Sequence, residues 1–97
     1  MIATLPTQER VDQVARELAP DVIRIRMDIG HDWAESPAIY FRVILSDEVT
    51  REQLWEVTER VRQKLRDDLG LDALEHISYF KFRGYGEQAE LQDKAWD

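Results

Sequence analysis

Three stretches of this chain alternate apolar and polar residues with a period of two, and two stretches of helical spacing are interleaved with them. That order constrains the fold more than any single motif. In "VIRIRMDI", Ile23, Ile25, Met27 and Ile29 alternate with Arg24, Arg26 and Asp28. In "AIYFRVIL", Ile39, Phe41, Val43 and Leu45 share one face while Tyr40, Arg42 and Ile44 share the other. "HISYFKFR" sets Phe80 and Phe82 against Tyr79, Lys81 and Arg83. Successive side chains of a strand point to opposite faces, so each run predicts a strand with one buried and one wet face. Ahead of the first run, Val11, Val14, Ala15 and Leu18 recur at helical spacing between Pro6 and Pro20, predicting an amphipathic helix over 7–19. Leu54, Val57, Val61, Leu65 and Leu69 predict a longer second helix. Thr50 and Gln53 form a capping box before it, and Gly70 supplies a left-handed stop after it.

Gly30 ends the first strand, and the loop to the second is short enough for an antiparallel hairpin. The second and third strands are joined through the long helix, a crossover that makes them parallel and right-handed. The expected fold is one α+β domain over residues 1–97, a two-layer sandwich of order αββαβ. Two helices cover one face of a three-stranded mixed sheet. The core spans 7–83, and the tail 84–97 holds one short helix near Glu87–Leu91. This element order over Thr7–Arg83 resembles a ferredoxin-like fold lacking its first strand, as in the cytoplasmic domain of cation-diffusion facilitators. The resemblance lies in topology and hydrophobic pattern. It implies dimerisation and metal binding through acidic and histidine residues, but this chain has no counterpart of such a motif. The chain is also similar to small uncharacterised bacterial proteins, which implies no activity. In the ferredoxin-like arrangement the absent strand would lie between the second and third strands here. The expectation is that the gap closes, or that the β-capable "MIATL" of this chain or of a second copy fills it.

A formal net charge of −7 disfavours nucleic-acid binding over the whole surface, because phosphate repels acid, though it leaves room for a local basic face. The chain has no cysteine, so disulfides, thiolate metal sites and cysteine nucleophiles are excluded. "MIATLPTQER" lacks the basic start and apolar core of a signal peptide, and no apolar run approaches membrane-spanning length. The expectation is a cytoplasmic chain with no membrane partner.

Three groups of residues are candidates for function. The first is "DIGHDWAESPAIYF", where parallel second and third strands would bring Asp72, Glu75 and His76 toward His31, Asp32 and Glu35. Imidazoles and carboxylates suit zinc; His31, Asp32 and His76 are the metal candidates. No spacing fixes two ligands on one rigid element. The plainer reading is a loop in which Asp32 or Ser36 caps local turns and Trp33 folds down over the end of the core.

The second group is the outer sheet face: Arg24, Arg26, Tyr40, Arg42, Tyr79, Lys81 and Arg83. It takes five of the chain's 13 cations but only Asp28 of its 20 acids, so charge is sorted between faces. Arginine and tyrosine anchor protein interfaces, and they also stack bases and neutralise phosphates. These residues are the expected partner-binding set, for a protein partner or a homodimer. A C2 pair would set the basic face of one copy on acidic helix ends of the other, with Trp33, Trp55 and Trp96 as anchors. Third, "FRGYGEQ" reads as a turn after the last strand, since it lacks the remainder of a phosphate loop. No serine lies in a nucleophile-elbow pattern, and His31 and His76 are the only imidazoles. The expected function is therefore a non-catalytic protein-interaction module without a cofactor. A nucleic-acid-binding or antitoxin-like regulator using the same face is the alternative, and a metal-binding domain the third reading.

Overall fold

The computed structural model describes residues 4–97 and contains three helices and one mixed three-stranded sheet. Helix α1 (Gln8–Glu17) begins at Thr7, whose hydroxyl accepts the Arg10 N–H at 3.3 Å. It leads into strand β1 (Val22–His31), which pairs antiparallel with β2 (Pro37–Leu45). After Thr50 and Gln53 exchange the two bonds of the capping box, at 3.1 and 3.3 Å, α2 runs from Leu54 to Leu69. Gly70 stops it at φ 63°, and its N–H bonds the Arg66 carbonyl. A 3-10 turn (Leu71–Ala73) leads to β3 (Ile77–Gly84), parallel to β2.

The sheet order is β1-β2-β3. Strands β2 and β3 pair directly, so no strand lies between them. Residues 1–3 of "MIATL" lie outside the described residues, and Thr4 and Leu5 join no strand.

Both long helices bury their apolar stripes on the inner sheet face. Val11, Val14 and Leu18 of α1 and Val57, Val61 and Leu65 of α2 meet Ile25, Ile39, Phe41 and Val43 in one core. Burying such side chains is the main favourable term in folding. Phe80 stacks on Phe41 with ring centroids 5.3 Å apart, and the Arg66 and Arg62 guanidinium groups lie over the Phe80 and Phe82 rings. Arginine thus closes the core above the outermost strand.

Three expected inner residues are exposed, Ile29 near the end of β1 among them. Val22 pairs with Leu45 and Arg24 with Ile44, so Ile23 is the extra residue of a bulge and is exposed, while Val22 enters the core. Leu54, the first residue of the α2 stripe, lies beyond the end of the core and is likewise exposed.

The sequence "GYGEQAEL" forms a helix directly. Helix α3 (Tyr85–Leu91) starts on the last residue of β3, which corrects the reading of "FRGYGEQ" as a turn. The Asp47 carboxylate accepts the Gly86 N–H at 3.0 Å at this junction. A final 3-10 turn (Lys94–Trp96) follows. Together these segments pack on the outer face of the sheet at β2 and β3.

Candidate functional site

The register aligns the outer face into rows across the three strands. Arg24, Ile44 and Arg83 form one row; Arg26, Arg42 and Lys81 the next; Asp28, Tyr40 and Tyr79 the third. Direct cross-strand neighbours have Cβ atoms only ~5 Å apart, so a row of three cations repels itself unless other groups answer the charge.

The first row is covered. Ile44 has 0% exposure although it points outward, because the C-terminal segment lies over it. Trp96, itself 6% exposed, sets its ring 4.2 Å from the Arg83 guanidinium carbon, and its carbonyl accepts the Arg24 Nε–H at 3.2 Å. Arg83 also donates to Gln88 at 2.8 Å and lies 3.7 Å from Asp93 and 3.9 Å from Glu87. Asp97 lies 3.5 Å from Arg24. The expected open face is thus closed at this end. Trp96 is an internal anchor and is not free for a dimer.

The remaining two rows are uncovered and knitted together. Arg42 bonds Asp28. The Tyr40 and Tyr79 rings stack with centroids 5.2 Å apart, and the Lys81 ammonium stands 6.0 Å from the Tyr40 ring. The Tyr40 hydroxyl donates to the His31 carbonyl at 3.1 Å. Arg26 is exposed, with no ion-pair partner among the described residues. Of the seven expected binding residues, Arg26 and Lys81 keep open cationic ends, Tyr40 and Tyr79 offer ring faces, and Arg24, Arg42 and Arg83 are engaged within the chain.

The hairpin loop is braced by Asp32. One carboxylate oxygen accepts the Ala34 and Ser36 N–H groups at 2.9 and 3.0 Å, and the other accepts the Tyr79 hydroxyl at 2.8 Å. The Tyr79 bond holds the Asp32 carboxyl below its ordinary pKa, with help from the Ser36 and Ala34 N–H groups and the nearby His31. That same bond, together with burial and the Asp32 charge, pushes the Tyr79 phenol upward. Asp32 therefore caps the loop as the plainer reading expects, but Trp33 does not fold over the core: it is 93% exposed.

The metal candidates are not assembled. Asp32 meets Tyr79 on the outer face, whereas His76 lines a hollow with Arg66, Leu71, Asp72, Leu74 and Ser78 on the helix side. Tyr79 sits within β3 on its outer face, whereas His76 precedes the strand. Among the described residues no group of three or more histidines or carboxylates is placed to hold a metal ion.

Sequence reasoning missed the state of the two sheet edges. On the β1 edge the Gln8 side-chain amide donates to the Ile25 carbonyl at 2.7 Å and accepts the Met27 N–H at 2.9 Å, the pair of bonds a neighbouring strand would make. On the β3 edge no backbone group of Ile77–Arg83 has a partner beyond the β2 ladder among the described residues. Nothing in the spacing of Gln8 signals this contact. No protein-family model, no curated protein and no solved structure matches this chain.

Proposed function

We propose that this chain is a non-catalytic protein-interaction module that takes a protein partner on the free edge of β3 and the adjoining Arg26, Lys81 and tyrosine surface. The observation that carries this reading is the asymmetry of the edges. An uncovered edge strand is a template for pairing, and proteins ordinarily block it. Here β1 is blocked at Ile25 and Met27 by Gln8, while the edge of β3 is left open beside stacked tyrosines and the Arg26 and Lys81 cations. Strand addition draws affinity from main-chain bonds and specificity from neighbouring side chains, and this surface offers both.

The nucleic-acid alternative loses support from the same contacts. Arg24, Arg42 and Arg83 already answer acids of the chain, so few counterions remain to be released by a phosphate backbone. Affinity capture from native lysate with the wild-type chain and an Arg26→Glu, Lys81→Glu double variant tests the reading. The wild type retains a protein that the equally stable double variant does not. Equal capture by both would remove this surface from the function. Single-stranded oligonucleotides at low salt serve as the counter-probe, with no anisotropy change expected at about tens of micromolar protein.

A further inference from the structure

We propose that the Trp33 loop of one copy docks into the cleft at the opposite end of a second copy, so that the chain self-associates head to tail. This goes beyond the interaction reading above: it touches β3 only at its end, through Phe82, Arg83 and Gly84, and does not use the Arg26 and Lys81 surface.

The loop has the properties of an anchor. Besides the three bonds to the Asp32 carboxylate, the Asp32 N–H donates to the Ser36 carbonyl at 3.0 Å and the Glu35 N–H to the Asp32 carbonyl at 2.9 Å. Five bonds within and onto one short loop hold its tip, where an almost fully exposed indole faces water. A tryptophan is the residue type most enriched among binding hot spots, and a loop already held in one conformation loses little entropy on docking.

The cleft lies where β2 and β3 end and α2 begins. It is an open cleft of about 790 Å³, and Leu54, Trp55 and Phe82 supply apolar lining, with Arg51 and Arg62 among the charged residues beside them. Trp55 is 75% exposed there. Its own loop cannot fill it: Pro37, next to the loop, and Leu45, in the cleft, are the two ends of β2, which at ~3.3 Å per residue sets them roughly 26 Å apart. Only another molecule can bring Trp33 to this cleft.

Charge favours a second copy as that molecule. The acids lining the cleft are already answered, Asp47 by the Gly86 N–H and Glu87 by Arg83. Arg62 is paired with Glu59. Arg51 has no ion-pair partner among the described residues, and neither has Glu35, two positions from Trp33. Seating the indole against Trp55 and Phe82 brings Glu35 toward Arg51, an opposite-charge contact that offsets part of the repulsion between chains of charge −7. Each copy then presents one loop and one cleft, a heterologous contact that builds rings or open chains and not a closed isologous pair.

Sedimentation velocity from about 5 to about 500 micromolar tests this with two exposed-site variants, Trp33→Ala and Trp55→Glu, because association shifts with concentration by mass action. The wild type gains mass across the range, and each variant alone associates at least about tenfold more weakly. The decisive sample is their equimolar mixture. The first variant keeps its cleft and the second its loop, so together they form a one-to-one pair that grows no further. The Arg26→Glu, Lys81→Glu variant self-associates like the wild type. A wild-type chain that stays monomeric overturns the proposal, as does a mixture that fails to pair. Loss of association only in the Arg26→Glu, Lys81→Glu variant would assign self-association to the sheet surface, leaving the interaction reading standing and this one overturned.

Discussion

At the scale of single residues, two polar side chains carry more structure than their exposure suggests. Asp32 caps its own loop and fastens it to β3 through Tyr79. Its pKa is lowered on folding, so its contribution to stability is present above the ordinary aspartate value of about 3.8 and is lost as pH falls through the lower folded value. Urea melts of wild type and Asp32→Asn should therefore differ near neutral pH and converge as pH drops below that value. Tyr79 has the opposite sign. Its raised phenol pKa gives stability that is present below about 10 and lost as pH rises through the folded value. An ultraviolet titration should show a late phenol step that disappears in Tyr79→Phe and moves down in Asp32→Asn. Gln8 is the second case. Removing its amide in Gln8→Ala takes two bonds from the β1 edge, at a cost of about 1–2 kcal/mol, and hydrogen exchange at the Met27 amide should accelerate. The capping role of Asp32 is legible in the sequence, because a short carboxylate in a tight loop reaches backbone N–H groups two and four positions on. That of Gln8 is not, because its partners are backbone atoms brought close only by packing of α1 on β1.

At the scale of elements, local chemistry fixes where the long helix begins and ends. Thr50→Ala removes the hydroxyl that accepts the Gln53 N–H and should cost about 1 kcal/mol. Gly70→Ala should cost a similar ~1 kcal/mol, wholly from the left-handed backbone, since a Cβ there would meet nothing within 4 Å. Thermal melts of both variants check the two values. These ends were legible because a capping box and a terminal glycine act within one turn of the chain. The start of β1 was not. Val22 and Ile23 are adjacent apolar residues that fit the alternation equally well, and only the bulge against Leu45 and Ile44 decides which faces the core. Helix α3 has the same kind of cause. Its first turn contains Gly86, a poor helix former, and the Asp47 carboxylate on the Gly86 N–H holds that turn from across the fold.

At the scale of the whole molecule, the C-terminal segment determines how much of the sheet is available to other molecules. Trp96 covers Ile44 and receives Arg24 and Arg83, so Trp96→Ala should destabilise the chain by about 3 kcal/mol and expose apolar surface that binds anilinonaphthalene sulfonate. The two-layer core follows from periodicity, which is why the α+β sandwich could be read from the sequence. The partly covered outer face does not, because "QDKAWD" has no period that marks where its tryptophan will land. One of the three rows that the alternation leaves open is therefore closed by a segment whose position the alternation does not encode. Among the described residues no helix is long and apolar enough to cross a membrane. The β1 edge also bears on stoichiometry. Fibril growth by strand pairing needs two receptive edges on every unit, one to accept and one to extend. With Gln8 holding the Ile25 carbonyl and the Met27 N–H, β1 is the disfavoured edge of each sheet, which biases strand pairing toward one partner per sheet, at β3.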